Sequence, residues 1–274
     1  LNVNIDQLEL PRASAYAVQA LEIITSPEPD SKKLEQAILC DPILASTLLR
    51  YANSPLNRRR QQITNVPTAL RLLGLKSVHS AIITATMHSL LPDDSSLGKQ
   101  ILDHLLATSL MCKLIARHCC RTSADDLEFL GLIHDVGMLV LASNFSTAYR
   151  NIIATAVSEG TEIDRLEQAE FGLSHDSVSA RVAHDFRLPE RHVELLRSFH
   201  QREAISEVNG DSARDICVLA LAHHLLNECS EASQQLPETI HESSDQLKQA
   251  LALSDQMIEA IVEEYSALTA DDNE

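Results

Sequence analysis

Apolar residues recur at spacings of three and four along most of this chain, and they alternate nowhere. Ala17, Val18, Leu21 and Ile24 follow that period, as do Leu34, Ala37 and Ile38, and then Ile101, Leu102, Leu105 and Leu106. A period near 3.6 puts apolar side chains on one face of a helix, whereas a half-buried strand needs a period of two. The fold class expected is therefore all-α, with no interior sheet. Composition points the same way. Trp is absent, aromatic residues make up 3%, and 7 Gly and 9 Pro are too few for the turns of a sandwich or barrel. With 274 residues, 45% of them hydrophobic, the chain can bury a core without disulfides or structural metals.

Local signals divide the helices. Pro27 and Pro29 end the first one, and Ser31 is expected to cap the second. Asp41-Pro42 opens a third, with the carboxylate as N-cap and proline in the first turn. Asn53-Ser54-Pro55 stops it, and Gly74 ends a short helix that starts at Val66. Beyond a linker at 92–98 the helices lengthen: 99–119, then 124–142, 145–158 and 162–170, with Asn144, Gly160 and Gly172 at their boundaries. Helices over 174–186 and 189–200 come next, and 211–229 and 254–268 are the last clear ones.

Charge is placed unevenly. Residues 1–205 hold 20 bases against 24 acids, net −4, while residues 206–274 hold 2 against 15, net −13. An acidic tail repels nucleic acid and anionic lipid, so neither is an expected partner. Arg58-Arg59-Arg60 reads as a solvated loop. The six cysteines, Cys40, Cys112, Cys119, Cys120, Cys217 and Cys229, form no CxxC pair and mostly sit among Leu, Ile and Ala, as reduced core thiols do. No apolar stretch reaches the ~20 residues needed to cross a bilayer, and no leader is read, so the expected place is the cytoplasm.

One polar pair stands inside an apolar run: His134-Asp135 in Gly131-Leu-Ile-His-Asp-Val-Gly137. Imidazole and carboxylate both ligate divalent transition metals. The dipeptide alone is a weak signal, because it recurs as His175-Asp176 and His184-Asp185.

Longer motifs carry more weight. Asp41-Pro42-Ile43-Leu44 is followed by Leu48-Leu49-Arg50-Tyr51-Ala52-Asn53-Ser54, by Ile63-Thr64 and by Ala69-Leu70-Arg71-Leu72-Leu73-Gly74-Leu75. Then come His104, the Gly131–Gly137 segment, Glu170-Phe-Gly-Leu-Ser-His175, Leu188-Pro189 and His200. Over about residues 5–230 the chain resembles the HDOD domain, an output-domain branch of the HD superfamily. The resemblance implies an N-terminal helical part over 1–91, an HD-like multi-helix bundle over 97–230 and an acidic helical extension over 231–274. It also implies a metal-ligand set of His104, His134, Asp135, His175, His200 and His223.

The departures from the catalytic HD pattern matter as much. Phe199 stands where catalytic members have the first His of a pair, Met138 where phosphodiesterases have Lys, and His223 where the last ligand is Asp. No GYP tripeptide follows His200. Phenylalanine cannot coordinate a metal, methionine brings no cation to a phosphate, and histidine brings no negative charge. Asp135 is then the only carboxylate among the six positions. The expected function is a non-catalytic signal-transduction module of bacteria that binds a protein or a small ligand. It has no catalytic residues and at most one divalent transition metal as cofactor. The alternative is a metal-dependent phosphohydrolase or cyclic-dinucleotide phosphodiesterase. The other histidines, His79, His88, His118, His192, His224 and His241, read as surface or packing residues.

Overall fold

The structure, a computed structural model, describes residues 3–10, 13–54, 57, 62–88, 96–119, 123–186, 188, 190–200, 211–229, 236–237, 240 and 242–270. Pro55, Arg58–Arg60, the linker residues 92–95, Cys120, Pro189 and His241 lie outside these. Among the described residues there is helix and no strand. The chain divides into two compact units: Leu1–Leu10 with Leu91–Ser266, and Pro11–Leu90 with Ala267–Glu274.

The N-terminal unit holds α1 (Ala15–Ile24), α2 (Ser31–Leu39), α3 (Pro42–Asn53) and α4 (Val66–His88). Asp41 caps α3 by accepting from the Ile43 and Leu44 N–H groups, with Pro42 in the first turn as expected. For α2 the cap is one residue earlier than expected. Asp30 accepts from Lys32 and Lys33, and Ser31 is already helical. A carboxylate at the helix N-terminus gains from the macrodipole, which a hydroxyl does not. The buried stripe of α1 is Ala17, Ala20 and Leu21, while Val18 is exposed. Leu34, Ile38, Leu48, Val78 and Ile83 are core residues of this unit. Gly74, at φ 73°, breaks α4 where the sequence expects a helix to stop.

The larger unit holds α5 (Ser96–Cys119), α6 (Ala124–Ile133), α7 (Val136–Asn144), α8 (Ser146–Glu159), α9 (Ile163–Phe171), α10 (His175–Asp185), α11 (Glu190–Ser198), α12 (Asp211–Cys229), α13 (Ser244–Leu251) and most of α14 (Asp255–Ala270). Three differences from expectation concern this unit. The helix expected over 124–142 is two, α6 and α7, separated at His134-Asp135. α13 goes unread in the sequence, although a Ser243/Gln246 capping box opens it. The first residues of the chain also join this unit: Val3 N–H donates to the Phe171 carbonyl, and Asp6 pairs with Arg181. Inside, Lys113 of α5 is buried and ion-paired with Glu128 of α6 at 2.7 Å. Removing one partner of such a pair costs about 3–5 kcal/mol, because the other charge is left buried and uncompensated.

Candidate metal centre

Two glycines set the His134-Asp135 junction. A Cβ on Gly131 would come within 2.9 Å of the Thr108 carbonyl and Ser109 Cα of α5. A Cβ on Gly137 would come within 2.0 Å of the His175 carbonyl of α10. Glycine at both positions lets α6 press on α5 and α7 press on α10. The Gly137 N–H also donates to Ser179 Oγ at 2.9 Å. Between these contacts the helix breaks, with Asp135 at φ −110° and ψ 24°. The pair thus faces His104 of α5 on one side and His175 of α10 on the other.

The first half of the pocket is made of rings. His104, His134 and His223 approach one another with centroids 4.8 to 5.4 Å apart. Phe199 packs on it, 5.7 Å from His223 and 5.9 Å from His134. His134 Nδ1 lies 2.7 Å from the Gly131 carbonyl, which can only accept, so that nitrogen carries the proton. Its Nε2 makes no hydrogen bond and lies 3.1 Å from Asp135 Oδ2. Burial lowers the His134 proton affinity despite the attraction of Asp135.

The second half is ionic. His175 Nε2 lies 3.5 Å from Asp135 Oδ1 and 3.7 Å from Asp176 Oδ1. Its Nδ1 is 2.8 Å from Glu167 Oε2, which also accepts from the His175 backbone N–H at 2.7 Å. Tyr149 donates to the other Glu167 oxygen at 2.6 Å. Asp164 lies 3.2 Å from His175 Nδ1, and His200 Nδ1 is 2.6 Å from Asp176 Oδ1. Burial would lower the proton affinity of His175, but Glu167, Asp135 and Asp176 outweigh it and raise the imidazole well above its ordinary value. His200 is raised for the same reason, with Asp176 its main partner. Asp135 would be raised by burial, yet His134 and His175 hold it well below the ordinary carboxylate range. Burial raises Asp164.

His104, His134, Asp135, His175, His200 and His223 therefore lie in one contiguous cluster of side chains. Asp135 is the only carboxylate among those six, but Asp176, Glu167 and Asp164 stand beside them. Glu167 was legible: Ile163, Glu167 and Phe171 are the buried residues of α9, so an acid sits in the apolar register of an amphipathic helix. Asp176 belongs to the second His-Asp pair, passed over as a repeat. The third pair is unlike the other two, since His184 is 71% exposed and, among the described residues, its ring contacts its neighbour Asp185. Met138, where a lysine would face a phosphate, is buried.

Three groups of side chains bring ligand atoms close enough to share a cation: His104/His134/His223, Asp135/His175/Asp176/His200 and Asp164/Glu167/His175. Asp135 Oδ1 and His175 Nε2 are both buried and without a hydrogen bond. Unbonded donor atoms of this chemistry fit a divalent metal. A cleft of about 580 Å³ opens beside the ionic half, lined by Asp164, Asp176 and His200 together with Arg165, Arg197 and Ser174.

The sequence profile of the HDOD domain matches residues 10–202. The fold is shared with several solved structures. An HDOD domain protein with unknown function from Geobacter sulfurreducens is 20% identical, with 96% of this chain and 94% of that one covered and a TM-score of 0.70. A Shewanella amazonensis SB2B protein provisionally named a metal-dependent phosphohydrolase is 19% identical, with 97% and 93% covered and a TM-score of 0.61. The MmoQ response regulator of Methylococcus capsulatus is 24% identical, with 92% and 97% covered and a TM-score of 0.52. A comparison with curated proteins returns no match. No helix among the described residues is long and apolar enough to cross a membrane.

Proposed function

The chain belongs to the HDOD domain family, and from that premise we propose that it is a non-catalytic signalling module whose HD-type pocket binds rather than hydrolyses. The observation that carries this reading is the composition of the ring-lined half. A phenyl ring, Phe199, and an uncharged donor, His223, occupy positions where hydrolysis in the superfamily calls for imidazole and carboxylate. Metal-assisted attack on phosphorus needs an activated water and stabilisation of the charge that develops on the phosphoryl oxygens. Phe199 excludes water from its side of the pocket, and buried Met138 offers that charge nothing.

The ionic half retains donors for one divalent cation. Bound there, the cation would act as a Lewis acid toward an anionic group entering the cleft. The chain's own residues supply the rest. Glu167 fixes the His175 ring, His200 holds Asp176, and Arg165 and Arg197 flank the opening. Occupancy would tie α7 to α10, and a change in their packing is the kind of signal a partner protein can read. The module acts in the bacterial cytoplasm, on a protein or small ligand and not on nucleic acid. The same carboxylates and arginines favour a second reading, a metal-dependent phosphohydrolase. Incubation with cyclic dinucleotides and nucleoside phosphates in the presence of Mn²⁺ or Fe²⁺ separates the two. The binding module gives no turnover. Robust turnover that disappears in Asp135→Ala promotes the hydrolase.

A further inference from the structure

The geometry points to Asp176 as a metal ligand: a divalent first-row transition cation binds between Asp135 Oδ1, His175 Nε2 and Asp176 Oδ1, and not among the three imidazoles of the ring-lined half. This inference rests on the proposed reading that the pocket retains a non-catalytic cation, and it says which atoms hold it.

Spacing is the first support. Metal–ligand bonds of about 2.0–2.2 Å in tetrahedral geometry put neighbouring donor atoms about 3.3–3.5 Å apart. The observed separations from His175 Nε2 are 3.5 Å to Asp135 and 3.7 Å to Asp176, close to that spacing, and all three ligand atoms lie within 4.8 Å of one another. Two of these three atoms, His175 Nε2 and Asp135 Oδ1, are fully buried without a hydrogen bond.

The second support is orientation. The His175 Nδ1 bond to Glu167 leaves Nε2 as the ring's inward donor, and Tyr149 fixes Glu167 from behind. Metal-bound histidines characteristically have their other nitrogen held by a carboxylate in this way. His200 is a positioning residue here, since its bond to Asp176 Oδ1 aims that carboxylate at the site.

Charge and access are the third. Stripping water from a divalent ion is costly and must be offset by anionic ligands. The ionic half offers two carboxylates directly. The ring-lined half offers none besides Asp135. Of the three proposed ligands Asp176 lines the cleft, with His200 beside it, whereas none of His104, His134 and His223 lines it. Asp176 thereby supplies the second carboxylate that His223 cannot.

The test is a titration of the metal-free protein with Mn²⁺, followed by loss of the free-ion EPR signal. Wild-type protein should take up one equivalent. Asp176→Asn should weaken binding at least tenfold, and His223→Ala should weaken it by a factor at least ten times smaller. The reverse order of losses, or no uptake by wild-type protein, would overturn the assignment. If Asp176→Asn fails to fold by circular dichroism, anomalous scattering from wild-type crystals soaked in Mn²⁺ decides instead. A peak within bonding distance of the Asp135 and Asp176 carboxylates supports the site, and a peak among His104, His134 and His223 contradicts it. Phosphoester turnover in the same preparations bears only on the non-catalytic reading, so the two can fail separately.

Discussion

His134 and His175 flank the same carboxylate, one on each oxygen of Asp135, yet their surroundings move them in opposite directions. His134 packs against His104, His223 and Phe199, and burial drives it toward the neutral form. His175 is buried as deeply, but Glu167, Asp135 and Asp176 hold a proton on it. Burial by itself therefore does not decide the state of a histidine. What decides it is whether burial brings carboxylates along. The ring-lined half is a packed wall of aromatic rings, and the ionic half gathers carboxylates around an imidazole.

Removing the carboxylate that anchors the ionic half should have the largest effect. Glu167→Ala leaves the His175 backbone N–H, the His175 ring and the Tyr149 hydroxyl without their acceptor. A destabilisation of about 3–5 kcal/mol in urea unfolding is expected, and a loss near zero would mean that the two halves are alike.

The bracketing glycines give the next contrast. Gly137→Ala drives a Cβ into the His175 backbone and should cost about 3 kcal/mol or more. Gly131→Ala meets its neighbours at 2.9 Å rather than 2.0 Å and should cost less, about 1–2 kcal/mol. Urea midpoints in the opposite order would show that the ionic half yields more easily than the rings.

The smallest effect is expected at the third His-Asp pair. His184→Ala, on an exposed face where Asp185 already pairs with Arg181, should change stability by no more than about 0.5 kcal/mol. A larger loss would give the dipeptide itself a meaning that its burial does not.

Much of the fold was legible because its signals are local. Asp41-Pro42 opens α3, and Gly160 and Gly172 close α8 and α9 in left-handed conformation, as their residue types suggest. The break between α6 and α7 was not legible. Leu132, Ile133 and Val136 continue a helical apolar pattern, and the break follows from two close helix approaches that only the tertiary structure contains. The site shows the same division. His104, His134, Asp135, His175, His200 and His223 were reached through family motifs, not through spacing. Asp176 stands in a repeated dipeptide that by itself is a weak signal, and Glu167 stands in no motif read in the sequence. Glu167 shows in the sequence as an acid in the apolar register of α9, but its partners appear only when that face, with Phe171, packs beside Tyr149 and His175.

The most direct test of the difference between the halves is a ring-nitrogen NMR titration of the histidines in metal-free, chelator-treated protein. His134 should titrate below about 6.5 and His175 and His200 above it. The sign carries into stability. The contribution of His175 is fully present below pH 6.5 and is lost as pH rises through its folded value. That of His134 is present above pH 6.5 and is lost as pH falls through its own. Resonances of His134 and His175 that titrate together, on the same side of the free imidazole value, would contradict the division of the cluster into a neutral wall and a charged half.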